Sequence, residues 1–489
     1  MKRYKFWFIA GSQHLYGGDV LRTVESRGAE MAGFFDAELP CGVVFKGTMK
    51  TPDDISNCVR EANHDQSCAG IIAWMHTFSP SKMWINGLVN LQKPYCHLHT
   101  QYNRSIPDSD IDMDFMNLNQ SAHGDREHGF INTRLRLARK IVVGYWKDGT
   151  VLNGLSSWMR SAVGAAVSRG LKVVRFGDNM RQVAVTEGDK VEAQAKLGWQ
   201  VNTQPVGRLA EEIAAVTDGE AEALLNAHRE KYVFALKDDQ YDAALYQTKE
   251  EIAIGRILDE QGAEAFTNTF EDLYGMEQLP GLAAQRLMER GIGFGAEGDW
   301  KTAAMTRIVK AMTSGMPGGT SFIEDYTYDL EQGRELSLGA HMLEVCPSIA
   351  AEKPRIEVHN LSIGDRRPPA RLVFEGCPGK AVLASLIDMG GRFRLIIADI
   401  EVVKPIYKMP NLPVARVMWR AEPDFVTASQ AWIMAGGAHH SVLSYDATPE
   451  MLTDWADIMG VETVRISAKT DIETFKRDLF LADIAYKLC

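Results

Sequence analysis

Apolar residues in the first hundred positions fall into short continuous runs, separated by stretches in which they recur every three or four residues. The runs KFWFIAG (5–11), CGVVFKG (41–47), CAGIIAWM (68–75) and KPYCHLHT (93–100) predict buried strands, and the stretches from Asp19 to about Phe35 and from Ser79 to about Leu91 predict helices. Thr51-Pro52-Asp53-Asp54 opens another helix: threonine is placed to cap, proline takes the first helical position and acids fill the first turn. Strand and helix in alternation predict a doubly wound parallel sheet, whose ligands lie beyond the carboxyl ends of the strands. That points to the loops SQHLYG, HTFSP and HTQYN.

A second α/β pattern starts at LKVVRFGDNM (171–180) and runs through a polar helical region at 208–232, a helix from about 246 to 261 and the helix in LPGLAAQRLMERG. After Gly315 the texture changes to short β-rich runs broken by Gly and Pro, among them TSFIEDYTYDL, ARLVFEG and RFRLIIADIEVV, which predict a mainly antiparallel sheet or barrel. Thr448-Pro449-Glu450 starts a late helix by the same capping logic, followed by strand ETVRI and a terminal helix. The expected division is an α/β domain over 1–170, a second α/β domain over 171–316 and a β-rich domain over 317–489.

Composition narrows the partners. A chain of 489 residues suggests two to four domains. Its net charge of −11, with no basic stripe, argues against nucleic acid or an anionic membrane. Seven scattered cysteines (41, 58, 68, 96, 346, 377, 489) predict free thiols in a reducing compartment, hence the cytoplasm. The apolar run in MKRYKFWFIAG is too brief for a signal peptide, and no stretch approaches the roughly 20 apolar residues of a spanning helix.

Chemistry concentrates in four segments of the second half: FGAEGDW with Glu297, GGTSFIEDYTY with Glu324, GAHMLEV with His341, and AGGAHHS with His439 and His440. Singly, Glu297 reads as a solvated cap and His341 as a core histidine. Together the segments offer two carboxylates and two imidazoles, a set that suits Mn²⁺ or a similar first-row ion with positions left for substrate oxygens. Adjacent side chains on a strand face opposite ways, so one of His439 and His440 is expected to bind. Gly293, Gly295 and Gly298 match the spacing of a dinucleotide-binding turn, but no acid follows about 20 residues on to hold a ribose. They are better read as tight backbone around Glu297.

The strings GSQHLYG, WMHTFSP, MWINGL, IDMDFMNLNQSAHG, RFGDNMR, TFEDLYG, FGAEGDWKTAA, GGTSFIEDYTY, HMLEVCPSIA and AGGAHH, in this order, closely resemble the L-arabinose isomerase family. The resemblance implies a three-domain, fucose isomerase-like architecture and conversion of L-arabinose to L-ribulose, with D-galactose to D-tagatose in many members. It also implies one Mn²⁺ per subunit, with Co²⁺ or Mg²⁺ as substitutes, and homohexamers or tetramers with active sites between subunits. Carried over residue by residue, the metal ligands fall on Glu297, Glu324, His341 and His440, with both glutamates also catalytic, and the substrate contacts on Gln13, Phe78, Gln120 and His123. From the residues alone, a metal-dependent epimerase, lyase or hydrolase stays open, as does a sugar-binding receptor.

Overall fold

In the computed structural model, which describes residues 1, 3–361 and 363–488, the four early apolar runs and a fifth, KIVV, pair in parallel. They form β1 (Lys5–Gly11), β2 (Gly42–Met49), β3 (Cys68–Met75), β4 (Tyr95–His99) and β5 (Lys140–Val143), in the order β2-β1-β3-β4-β5. All of β3 and nearly all of β1 are buried, as continuous apolar runs require when helices cover both faces. The helix Pro52–His64 starts as expected: Asp54 N–H donates to Thr51 Oγ1 and Thr51 N–H to Asp54 Oδ2. The order reverses direction between β1 and β3, and that switch point lies beside the loops at Ser12 and His76.

The helix expected over 79–91 is shorter. A 3₁₀ turn, Ser81–Trp84, passes into one α turn, Ile85–Leu88. Local side-chain bonds close it early: Asn90 Nδ2 donates to Asn86 O and Asn63 Nδ2 to Asn90 O.

By its contacts the chain forms two units. The first is Met1–Ala166 with Thr453–Ile458, a late segment that supplies buried Trp455 and Asp454, whose carboxylate lies 2.9 Å from Lys140 Nζ. The second is Val167–Leu452 with the chain from Met459 onward. It begins with β6 (Lys172–Phe176), β7 (Gln200–Gln204), β8 (Val233–Phe234), β9 (Ala265–Thr267) and β10 (Gly293–Gly295); four of these make a parallel sheet in the order β10-β9-β6-β7. The expected helical region at 208–232 divides into Val206–Ala215 and Asp218–Lys231, the second opened by a capping box between Thr217 and Glu220.

The β-rich part contains β11 (Thr320–Asp329), β12 (Leu336–Ala340), β13 (Arg355–Val358), β14 (Ala370–Val373), β15 (Gly379–Asp388), β16 (Phe393–Val403), β17 (Arg416–Ala421), β18 (His440–Ser444) and β19 (Glu462–Ile466). Six strands pair antiparallel in the order β15-β18-β11-β12-β17-β16, and β15 pairs with β16 to close a barrel. β19 adds in parallel to β16, while β13 and β14 make a small separate sheet with β8. Closure leaves the barrel ladder without a free edge. Its core includes Ile323, Leu383, Ile396, Ile400, Trp419 and Leu443. The six described cysteines form no disulfide, and Cys489 lies outside the described residues. No described helix is long and apolar enough to cross a membrane.

The helix Tyr241–Gln261 buries Glu250 completely; Gln247 Nε2 donates to its Oε2 at 2.6 Å, and its Oε1 has no partner among the described residues. Burial pushes this carboxyl well above its ordinary value. The folded value exceeds the unfolded one, so the protonated group's contribution is complete below the unfolded pKa and is lost as pH rises toward the folded one. Glu250→Gln keeps the acceptor and cannot ionise. It is expected to gain about 1 kcal/mol at pH 7 and nothing at pH 4, read by urea denaturation at both pH values.

Candidate active site

The register of β11 explains how distant residues meet. Glu324 stands opposite His440 on β18 and opposite Ala340 on β12, and His341 follows Ala340 directly. One strand position therefore brings a carboxylate beside two imidazoles. Two residues earlier on the same face, Phe322 lies beneath both rings, with centroids 5.0 Å from His341 and 5.1 Å from His440.

Glu297 arrives from the parallel sheet. It sits in the turn between β10 and the helix Trp300–Met312, at φ +60°, a left-handed conformation rare for glutamate. The turn is pinned by Met180 N–H to Glu297 O at 2.9 Å and Gly298 N–H to Asn268 O at 3.0 Å. Gly298 follows at φ +79°, and a Cβ there would lie 2.4 Å from Asn179 Cα. The glycine spacing thus belongs to a tight turn that aims Glu297.

Glu297 Oε2 lies 3.4 Å from His439 Nε2 and 3.7 Å from His440 Nε2, and Glu324 Oε2 lies 3.8 Å from His341 Nε2. Among the described residues, Glu297, His439 and His440 form the group whose ligand atoms all fall within 4.8 Å of one another. Sequence reasoning expected one histidine of this pair to bind; both lie near Glu297, and His439 is the nearer.

Two further carboxylates orient the rings. His341 Nδ1 meets Glu344 Oε2 at 2.5 Å, and His440 Nδ1 meets Asp299 Oδ2 at 3.1 Å. Each carboxylate holds the proton on Nδ1 and turns Nε2 toward the acids, the arrangement that orients histidine ligands in metal sites. Sequence reasoning missed both. The signals were present: Glu344 stands three residues after His341, and Asp299 is the cap of the following helix, accepting from Thr302 N–H.

Electrostatics sets the two glutamates apart. Burial opposes charge on Glu297, but His439, His440 and His341 outweigh it and hold the carboxyl below its ordinary value. At Glu324 burial prevails over His341 and His439, and the carboxyl is raised. His440 is pulled down by burial despite Asp299. Its Nε2 is buried and has no hydrogen-bond partner among the described residues. An orphaned imidazole nitrogen facing a carboxylate, with its other nitrogen tied down, fits a divalent first-row cation.

The other expected contacts lie in the first unit, at its switch point. Thr77 Oγ1 donates to Ser12 Oγ at 2.8 Å, tying the loop of Gln13 to the loop of Phe78. The Phe78 and His123 rings lie 4.6 Å apart, and Gln120 N–H donates to His76 O. All four residues lie on loops or a helix start at the carboxyl ends of the strands.

Family models for L-arabinose isomerase match nearly the whole chain: the N-terminal domain over residues 1–170, the central domain over 172–315 and the C-terminal domain over 319–462. The chain is similar to the L-arabinose isomerase of Thermotoga petrophila, 56% identical over 483 residues, covering 98% of this chain and 97% of that one. Similar relatives are the L-arabinose isomerases of Anoxybacillus flavithermus (55% over 485 residues) and Geobacillus stearothermophilus (53% over 485 residues), each at 98% of this chain and 97% of the relative. An acid and imidazole cluster built by a barrel strand and a strained turn, in a chain matched along its length by three successive models, has one family reading: the chain belongs to the L-arabinose isomerase family, as an isomerase.

Proposed function

We propose that the protein interconverts L-arabinose and L-ribulose by moving protons between C1 and C2, with D-galactose as a second substrate. The observation that carries this is the meeting of two carboxylates, Glu297 and Glu324, with the imidazoles of His341, His439 and His440, which puts two groups able to pass protons beside one donor cluster. Glu297, Glu324, His341 and His440 would hold a divalent ion, Mn²⁺ by donor type, with Co²⁺ or Mg²⁺ as substitutes. Such an ion, when bound, stabilises negative charge on the sugar's two reacting oxygens.

The chain's own groups do the rest. One glutamate removes the C2 proton and O1 takes up a proton to give the enediol; O2 then gives up its proton as C1 receives one, which completes the change from aldose to ketose. Glu344 and Asp299 keep the imidazoles in the required tautomer. Phe322 closes the floor beneath the rings to water. Gln13, Gln120 and His123 would bond the sugar hydroxyls and Phe78 would cover a carbon face, as a small polyol requires. These first-unit loops would serve the site of a neighbouring subunit in a homohexamer, which places the working enzyme in an oligomer. The free thiols and the sugar substrate fit the cytoplasm.

The test is ketose formation from a panel of aldoses by EDTA-treated protein, before and after adding Mn²⁺. Activity on L-arabinose is expected to disappear with the chelator and return with the metal. Protein that binds Mn²⁺ yet makes no ketose would remove the isomerase reaction and leave a metal-dependent epimerase or lyase.

A further inference from the structure

The Gln120 side chain has little of its own to fix it. Gln120 lies in the turn between the short helix Met113–Leu118 and the helix Ser121–Arg134, and among the described residues its side-chain nitrogen reaches only Asn117, at 3.1 Å to Oδ1 and 3.2 Å to O. Asn119, just before it, has backbone angles that belong to neither helix nor strand. Yet this turn meets the end of β3 closely: Gln120 N–H donates to His76 O at 3.0 Å, and a Cβ on Gly124 would lie 2.7 Å from Thr77 O.

Besides that backbone bond, Arg27, from the helix Gly17–Glu38, joins the two segments. Its Nη1 donates to Asn119 Oδ1 at 3.0 Å and lies 3.2 Å from His76 Nε2. The guanidinium rests over the Tyr102 ring, 4.3 Å from its centroid, and the Tyr102 hydroxyl donates to Glu30 at 2.6 Å. His76 is held too: it is fully buried and its ring stacks on Trp74 at 4.4 Å. Burial and the Arg27 charge lower its pKa to about 3, so it accepts from the guanidinium as a neutral imidazole.

Among the described residues no carboxylate forms an ion pair with Arg27. A half-buried cation that spends its donors on two neutral acceptors gains less than one paired with an acid. What it gains is geometry. His76 stands two residues before Phe78 and Asn119 one residue before Gln120, so this side chain adds to the Gln120–His76 backbone bond in fixing two of the expected sugar contacts relative to each other.

We propose that Arg27 is a positioning residue for sugar binding, which sets the Gln120 turn against the Phe78 loop. The proposal rests on the reading of Gln120 as a sugar contact. Lysine at position 27 keeps the charge but loses the planar face over Tyr102 and the fork that spans both acceptors.

The test uses the full-length, Mn²⁺-loaded oligomer with L-arabinose, comparing Arg27→Met, Arg27→Lys, Asn119→Ala, Gln120→Ala and the Arg27→Met/Gln120→Ala double variant. Arg27→Met is expected to raise KM about 10-fold with kcat within about 3-fold, since misplacing a contact weakens binding while the reacting groups stay in place. Arg27→Lys should fall between it and the parent, and Asn119→Ala should shift KM in the same direction. The double variant should be no worse than Gln120→Ala alone, because the two act through one contact. If Gln120→Ala raises KM and Arg27→Met does not, the positioning role is overturned while the pocket stands. If Gln120→Ala leaves KM unchanged, the pocket reading fails and the role of Arg27 fails with it. Should Arg27→Met not fold, Asn119→Ala carries the test: an unchanged KM there overturns the proposal.

Discussion

Glu297→Gln is expected to fold like the parent and to lose about 10²–10⁴-fold in turnover on L-arabinose, the range that a positioned acid or base contributes. The substitution keeps the volume and the backbone demand, since glutamine meets the same φ of +60°. It removes the charge that His439, His440 and His341 support, and with it the ability to take a proton. Two readouts separate the roles. Metal analysis of the purified variant reports whether the amide still helps to hold Mn²⁺, and turnover at saturating Mn²⁺ reports the loss of proton transfer. Turnover within tenfold of the parent would remove Glu297 from the chemistry and leave it as a ligand.

The second large effect is on folding. Gly298→Val places a β-branched residue at φ +79°, with its Cβ 2.4 Å from Asn179 Cα and 2.7 Å from Asp178 O. These are backbone atoms, which cannot rotate aside. A loss above about 3 kcal/mol is expected, or failure to accumulate as soluble protein, measured by urea denaturation or by yield. Gly207→Ala is the control. Gly207 lies in the helix Val206–Ala215 with nothing within 4 Å of an added Cβ, and alanine there should be neutral or stabilising by less than about 1 kcal/mol. Equal behaviour of the two variants would mean that the turn around Glu297 is looser than its geometry states.

What was legible in the sequence followed from local physics. Continuous apolar runs predicted β1 to β4, and Thr51 and Thr448 announced helix starts that the structure shows. The strands after Gly315 were visible as β-rich runs, but the closure of β15 on β16 was not, because no local pattern states which strands pair. The same limit held at the site. Glu297, Glu324, His341 and the pair His439 and His440 stood out as chemistry on turns, while the register that sets Glu324 opposite His440 had to be seen. Asp299 and Glu344 were hidden because an orienting carboxylate looks like any helix cap or loop acid until the ring beside it is placed. The helix expected at 79–91 was cut short by asparagine side chains that compete for its backbone, an effect periodicity does not register.

The late segment of the first unit has a consequence in time. Residues 1–166 carry the whole five-stranded sheet, yet Asp454 and Trp455 complete its packing. At roughly 5–20 residues per second, synthesis puts about 15 to 60 s between Ala166 and Thr453 leaving the ribosome. Throughout that interval the nascent sheet waits with the Lys140 side of its last strand uncovered. The part of the protein that is made first therefore waits for one of the last segments to be made, and a chain stalled before Thr453 holds a sheet whose packing is unfinished for the chaperones to guard.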